Sequence, residues 1–318
     1  MTFSASTKLF TGTSNKPLAL QISQVLNQPL ERCEVGRFKD GEIHVEIKDN
    51  VRGSKAVIIQ PTCAPANDTL MELILMADAL KRSSAAKIIA VIPYYGYARQ
   101  DRRPGYSRVP ISARVIADLI EAVKIDHVVT IDLHVTQIQG FFRIPVDNLS
   151  PTRLFVNDAI KKHGHEQLIV VSPDVGGVAR ARSVAKHLNN SDLAIVDKRR
   201  PKHNVSEVMN IIGDVEGKIC VITDDIVDTA GTLCKAADAL INRGGASKVV
   251  AYCSHGVLSE GAADNLNNSL LSELIITDTI PLKPTFECDK VRVISVAEIL
   301  AETINRIDTG LSISEMLN

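Results

Sequence analysis

The segment VITDDIVDTAGT, residues 221–232, places Asp224, Asp225 and Asp228 close together and closes on Thr229, Ala230, Gly231 and Thr232. Carboxylates crowded in this way repel one another unless cations or hydroxyl donors meet them. Vicinal sugar hydroxyls and a hydrated Mg²⁺ are both suited to Asp224 and Asp225. The small residues that follow lead into a helix, with Gly231 able to tolerate a strained dihedral and Thr229 and Thr232 offering hydroxyls. Backbone N–H groups converging there make an anion cradle that fits a phosphate monoester. A phosphorylated sugar satisfies both ends. An acidic helix cap accounts for Asp228 alone, and the chain has no GxxxxGK[ST] loop.

Other stretches carry weaker signals. TIDLH (130–134) ends a β-like run, and strand alternation predicts that Asp132 and His134 share a face. A histidine there is ordinarily a hydrogen-bonded structural residue. SPDVGG (172–177) puts Asp174 before two glycines, where backbone must approach something closely. YGYARQDRR (95–103) is a basic loop after an apolar run, and a solvated loop suffices for Arg102 and Arg103. DKRRPKHN (197–204) is also basic; such runs are ordinarily solvated surface, but behind a strand this one fits a flap closing over phosphates.

The elements that must position these residues are written twice. Residues 55–96 and 217–256 each read as strand, polar loop, amphipathic helix, turn and strand, and the text itself repeats as ADALKRSSAAKIIA and ADALINRGGASKVVA. Leu70, Leu73, Ile74, Ala77 and Leu80 follow the spacing of one buried helix face, as do Leu233, Ala236, Ala237, Leu240 and Ile241. Asn67 or Asp68 is the expected cap of the first helix, and Gly244-Gly245 the expected end of the second. Apolar strands without strict alternation imply parallel sheets covered on both faces. The fold expected is α/β, with two duplicated domains, each a mostly parallel sheet flanked by helices, divided into 1–149 and 150–318. The first copy has a neutral loop, PTCAP, where the second has its acids. The acids are therefore additions at the carboxyl end of a strand, where ligands of such sheets bind.

Composition narrows the classes. The chain has 318 residues, 45% hydrophobic and 23% charged, with a formal net charge of −1, so no basic field attracts nucleic acid or anionic membrane. Aromatics are only 4% and tryptophan is absent, against a stacking platform for single strands. The N-terminus MTFSASTKLF lacks an apolar signal core, no apolar run is long enough for a membrane helix, and six scattered cysteines form no CxxC pair. These features predict a cytoplasmic protein with reduced thiols, no nucleic-acid partner and no membrane.

VITDDIVDTAGT resembles the phosphoribosyl diphosphate motif of the type I phosphoribosyltransferase fold. Together with GRFKDGEIHVEI (36–47), YYGYARQDRR (94–103), TIDLHVTQIQGFF (130–142), SPDVGG and DKRRP (197–201), the chain resembles bacterial class I ribose-phosphate diphosphokinases essentially end to end. The resemblance implies two type I phosphoribosyltransferase-like domains and transfer of the β,γ-diphosphoryl group of MgATP to the C1 hydroxyl of ribose 5-phosphate. It gives Lys198 and Arg200 the catalytic role. It assigns ATP to Phe38, Asp40, Gly41, Glu42, Arg99, Gln100 and His134, with Phe38 stacking on the base. Ribose 5-phosphate falls to Asp224, Asp225, Asp228, Thr229, Ala230, Gly231 and Thr232. Mg²⁺, two ions per site with one carried by ATP, falls to His134 and Asp174. It further implies a homo-oligomer, typically a hexamer, in which the Phe38 segment reaches a neighbouring copy.

The same resemblance implies regulation by inorganic phosphate and ADP through Arg52, Arg108, Ser312 and Ser314. Pro104-Gly105-Tyr106, Arg143 and Leu317 depart from the family pattern, and altered effector responses are expected from them. Two other classes use the same fold: a phosphoribosyltransferase, and a non-catalytic regulator. The FKDGE and ARQD elements count against the first. The presence of Lys198, Arg200, Asp224 and Asp225, and the lack of a basic winged-helix segment, count against the second.

Overall fold

The computed structural model describes residues 6–164, 168–188, 191–199 and 208–317. Two compact units emerge. One comprises Met1–Ser150 with Thr279–Pro281 and Ser295–Asn318, the other Pro151–Asp278 with Leu282–Ile294.

The first unit contains β1 (Thr7–Thr11), α1 (Lys16–Leu26), β2 (Cys33–Arg37), β3 (Ile43–Ile47), β4 (Lys55–Ile59), α2 (Ala66–Arg82), β5 (Lys87–Ile92), α3 (Ser112–Ala122), β6 (His127–Ile131) and β7 (Val146–Leu149). The second contains α4 (Thr152–His163), β8 (Leu168–Ser172), α5 (Val178–His187), β9 (Leu193–Arg199), β10 (Val208–Ile212), β11 (Ile219–Val227), α6 (Gly231–Asn242), β12 (Lys248–Gly256), α7 (Ala262–Asn267), β13 (Glu273–Thr277) and β14 (Val291–Ile294). The chain then returns to the first unit as α8 (Ala297–Thr309) and α9 (Ser314–Leu317).

The duplication is visible in strand order. One sheet runs β1-β4-β5-β6-β7, and the other contains β8-β11-β12-β13-β14, every neighbouring pair parallel. Between the first and second of these strands each unit inserts an antiparallel pair: β2–β3 stands apart as a two-stranded sheet, while β9–β10 extends the larger sheet at its β8 edge. Apolar residues face both sides. In the second unit Ile169, Val171 and Ile222 join the core with α6, and Val170, Val221 and Val250 join the core with Phe155 and Val184 from α4 and α5. Leu70, Leu73, Ala77 and Leu80 of α2 are buried as their spacing predicts, as are Leu233, Ala236, Ala237 and Leu240 of α6.

Four local expectations give way. Residues 295–318 pack with the first unit, not the second: α8 lies on α1, Leu300 and Ile304 are buried, and the Asp308 carboxylate accepts from Thr7 Oγ1 at 2.5 Å and Lys55 Nζ at 3.1 Å. An amphipathic stripe states that a helix will be covered, not by which sheet. Neither Asn67 nor Asp68 caps α2; Pro65 precedes the helix and both lie within its first turn. At the end of β6 the chain turns at Asp132, φ 44°, which breaks the alternation expected to align it with His134. Finally, the strained dihedral that Gly231 could tolerate falls on Ala230 instead, φ 60°, while Gly231 opens α6.

Candidate active site

The acidic segment is strand for longer than its composition suggests. β11 pairs with β12 through Val227–Gly256, so Asp224 and Asp225 lie within the strand and the turn begins at Asp228. Asp224, Asp228, Thr229, Ala230, Gly231 and Thr232 line one cavity with Asp174, over a floor that includes Ile222, Ala251 and Cys253. The cavity holds about 220 Å³, below the range of roughly 300–1,000 Å³ usual for drug-sized ligands. That scale suits a sugar phosphate better than a nucleotide.

The cradle is built from remote parts. Ser259 Oγ donates to the Asp228 carboxylate and its N–H donates to the Asp228 carbonyl at 3.1 Å. Asn265 Nδ2 donates to the Thr229 carbonyl at 2.9 Å. These two residues, after β12 and on α7, hold the turn so that α6 starts without any side-chain cap, leaving its positive end directed at the cavity. Neither Ser259 nor Asn265 carries a sequence signal, because each acts on the turn's own backbone or carboxylate from more than thirty positions away.

Asp225 does not line the cavity. It is buried at 5% exposure, with Arg180 Nη1 of α5 3.3 Å from its Oδ1. Asp224 accepts from the Asp225 N–H at 2.9 Å. Burial first, then the charge of Asp225 and a hydrogen bond to its carboxyl, push the Asp224 carboxyl up to about 7, against the pull of Arg180. Burial and the same acids push the Cys253 thiol well up, so it remains a neutral wall. Asp174 lines the cavity from the loop before α5, where its Oδ1 accepts from the Gly177 N–H at 2.8 Å and Ser172 Oγ donates to its carbonyl at 2.6 Å.

The other predicted residues lie elsewhere. Lys198 is near the end of β9, opposite Met209, and Arg200 lies outside the described residues. In the first unit Phe38, Asp40, Gly41 and Glu42 form the tip of the β2–β3 hairpin: Phe38 N–H donates to the Glu42 carbonyl at 2.8 Å, and Gly41 sits at φ 95°. Phe38 is 58% exposed on one side and on the other tilts against His44, ring centroids 5.2 Å apart. His44 in turn covers Gly36, where an added Cβ would lie 2.5 Å from its Nε2. Arg99 and Gln100 are exposed on the loop between β5 and α3, with Gln100 accepting from Ser112 Oγ. His134 is half-buried beyond β6.

Of the proposed effector residues, Arg52 Nη1 donates to Ser84 Oγ at 3.1 Å and Arg108 is exposed. Ser312 Oγ lies 3.5 Å from Ser314 Oγ, with the Ser312 carbonyl accepting from Arg306 at 2.6 Å. Tyr106 is fully exposed beside Gly105, φ 55°, and the Arg143 N–H donates to Glu121.

The cavity's donors are oxygens, which suits Mg²⁺. No group of three or more His, Cys, Asp or Glu among the described residues could hold a metal alone. An ion here would complete its shell with water and ligand oxygens, as Mg²⁺ commonly does.

Residues 7–123 match the family model for the N-terminal domain of ribose phosphate pyrophosphokinase, and residues 180–318 that for the phosphoribosyl synthetase-associated domain. A ribose-phosphate pyrophosphokinase of Xanthomonas campestris pv. campestris is 58% identical over 309 residues, covering 97% of both chains. The chain belongs to the ribose-phosphate pyrophosphokinase family. A second relative of that name, from a Marinomonas species, is 56% identical over 97% of this chain and 98% of its own. The crystal structure of phosphoribosylpyrophosphate synthetase from Mycobacterium smegmatis superposes with a TM-score of 0.90 at 38% identity, covering 96% of this chain and 99% of that one. Membership in this family of pyrophosphokinases makes the chain a transferase. No helix among the described residues is long and apolar enough to cross a membrane.

Proposed function

We propose that the chain transfers the β,γ-diphosphoryl group of MgATP to the C1 hydroxyl of ribose 5-phosphate, giving 5-phospho-α-D-ribosyl 1-diphosphate and AMP. The observation that carries this reading is the uncapped start of α6 facing a sugar-sized cavity that also holds Asp224 and Asp174. The turn 228–232 binds the 5-phosphate through backbone N–H groups and the Thr229 and Thr232 hydroxyls. Asp224 accepts from ring hydroxyls, and Asp225 acts behind it through Arg180. Fixing the sugar at both ends holds O1 for in-line attack, which is the positioning part of catalysis. The bond from O1 to the β-phosphorus forms as the bond to the α,β-bridging oxygen breaks. AMP leaves with that oxygen, and the O1 proton passes to solvent. Lys198 and Arg200 neutralise charge on the transferring oxygens.

Mg²⁺, two ions per site with one entering on ATP, would supply charge neutralisation to the phosphates when bound; Asp174 and His134 are the residues that would hold it. Phe38 stacks on the adenine, with Asp40, Gly41, Glu42, Arg99 and Gln100 completing the ATP contacts. The working form is a cytoplasmic homo-oligomer, a hexamer, in which the exposed Phe38 serves a neighbouring copy. Inorganic phosphate and ADP act at Arg52, Arg108, Ser312 and Ser314, with responses altered by Pro104-Gly105-Tyr106, Arg143 and Leu317.

Phosphorus NMR of the protein with MgATP and ribose 5-phosphate, beside Lys198→Ala, tests the reaction. AMP and the 1-diphosphate form, and both are largely lost in the variant. ADP as product makes it an ordinary kinase. Saturable binding of the 1-diphosphate without turnover makes it a phosphoribosyltransferase or regulator.

A further inference from the structure

In the second unit the loop after the second parallel strand forms the sugar-phosphate cavity. The corresponding loop of the first unit is neutral, and the start of its helix, α2, is engaged differently. Pro65 offers α2 no side-chain cap, and Asn67 and Asp68 point their acceptors at two neighbouring segments. Asp68 Oδ2 accepts from Arg37 Nη2 at 2.7 Å. The same guanidinium donates through Nη1 to the Gly41 carbonyl at 3.1 Å, which braces the tip of the β2–β3 hairpin. Asn67 Oδ1 accepts from the Tyr97 hydroxyl. Tyr97 lies two residues before Arg99 and holds φ 64°, a conformation that strains a non-glycine residue and persists only when its surroundings impose it. The loop is also seated at Gly96, whose N–H donates to Thr62 Oγ1 at 2.7 Å.

We infer that Asn67 and Asp68 are positioning residues for nucleotide binding: one helical turn latches both segments that carry the ATP contacts, the hairpin tip through Arg37 and the Arg99–Gln100 loop through Tyr97. The duplicated corner has thus diverged, one copy binding a ligand and the other fastening ligand-binding loops. The inference rests on the assignment of Phe38, Arg99 and Gln100 to ATP.

The latching groups are largely exposed: the Arg37 and Asp68 side chains retain 47% and 37% of their accessible surface. Such contacts contribute little to global stability and act mainly on local geometry. The test is steady-state kinetics of the full-length enzyme with Asn67→Ala, Tyr97→Phe, their double variant, Asn67→Asp, Asp68→Asn and Phe38→Ala, each with a thermal melt. Asn67→Ala, Tyr97→Phe and Asp68→Asn are each expected to raise KM for ATP roughly fivefold, the effect of one lost hydrogen bond. Their kcat, KM for ribose 5-phosphate and Tm stay near wild type. The double variant is no worse than either single, and Asn67→Asp, which keeps an acceptor, restores KM. Additive effects of Asn67→Ala and Tyr97→Phe, equal rises in both KM values, or a Tm fall that tracks KM overturn the latch. If Phe38→Ala raises KM for ATP while the latch variants do not, the latch alone is wrong. If Phe38→Ala leaves KM for ATP unchanged, the ATP assignment fails and the inference with it.

Discussion

Asp224→Asn separates the electrostatic cost of the acidic corner from its use. In the folded protein burial and Asp225 push the Asp224 carboxyl up to about 7, whereas an unfolded aspartate titrates near 3.9. A folded state that holds its proton more tightly gains stability that is complete below pH ~4 and is lost as pH rises towards ~7. Each pH unit in that window is worth about 1.4 kcal/mol, so roughly three units amount to about 4 kcal/mol. Asparagine keeps the shape and removes the ionisation. Other groups titrate too, so the quantity to read is the stability of Asp224→Asn minus that of wild type, from urea unfolding without ligands. It should shift in favour of the variant by about 3 kcal/mol between pH 5 and pH 8, since about two units of the window lie in that interval. A difference that does not change with pH refutes the account of a carboxyl raised by burial and its neighbour. Binding of ribose 5-phosphate by wild type should tighten as pH rises through ~7, because an ionised carboxylate is the better acceptor for hydroxyls; calorimetry at pH 6 and pH 8 checks this.

Further expectations concern the framework. Asp158 accepts two hydrogen bonds from Arg292, at 2.9 and 2.6 Å, and one from Tyr252 at 2.7 Å, and these partners hold its carboxyl below the usual range despite burial. Asp158→Asn should cost about 1–2 kcal/mol at pH 7, between an exposed and a fully buried pair. Because a depressed acid loses its stabilisation as pH falls through its folded pKa, the difference from wild type should shrink below pH ~4 in the same urea assay. At Gly96 an added Cβ would lie 2.4 Å from the Thr62 carbonyl oxygen, which is backbone and has no rotamer to yield. Gly96→Ala should therefore cost about 1–3 kcal/mol and raise KM for ATP by displacing Arg99 and Gln100, as melts and initial rates would show.

The sequence carried the fold wherever burial alone decides it. The stripes Leu70–Leu80 and Leu233–Ile241 lie on the faces their spacing predicts, and the repeated ADAL text falls in the matching helices α2 and α6, whose sheets have the same strand order. The candidate cavity was legible as a cluster of acids and small residues, because types with desolvation costs that large must be explained. Less legible was whatever depends on partners distant in sequence. β11 continues through Asp224 and Asp225 because β12 pairs alongside, though acids depress strand propensity. Arg180 claims Asp225 from another helix, and nothing in DDIVDTAGT distinguishes that carboxylate from its neighbour. Glycine is the residue that best tolerates a left-handed dihedral, yet Ala230 and not Gly231 takes it, held by the turn that Ser259 and Asn265 fasten. Asn67 and Asp68 have the composition of caps, and only the folded positions of Arg37 and Tyr97 reveal other partners.

The return of residues 295–318 to the first unit has a bearing on biosynthesis. On the ribosome the N-terminal unit emerges before α8, and the whole second unit is translated in between. Until then the face of α1 that α8 covers is exposed to water, and Asp308 has not reached Thr7 and Lys55. The first unit is therefore completed only by helices made after the whole second unit, and the nascent chain carries that uncovered α1 face until α8 is translated. That interval is when a chaperone would find it, and a nonsense codon just before α8 would leave the unit encoded first without its covering helix.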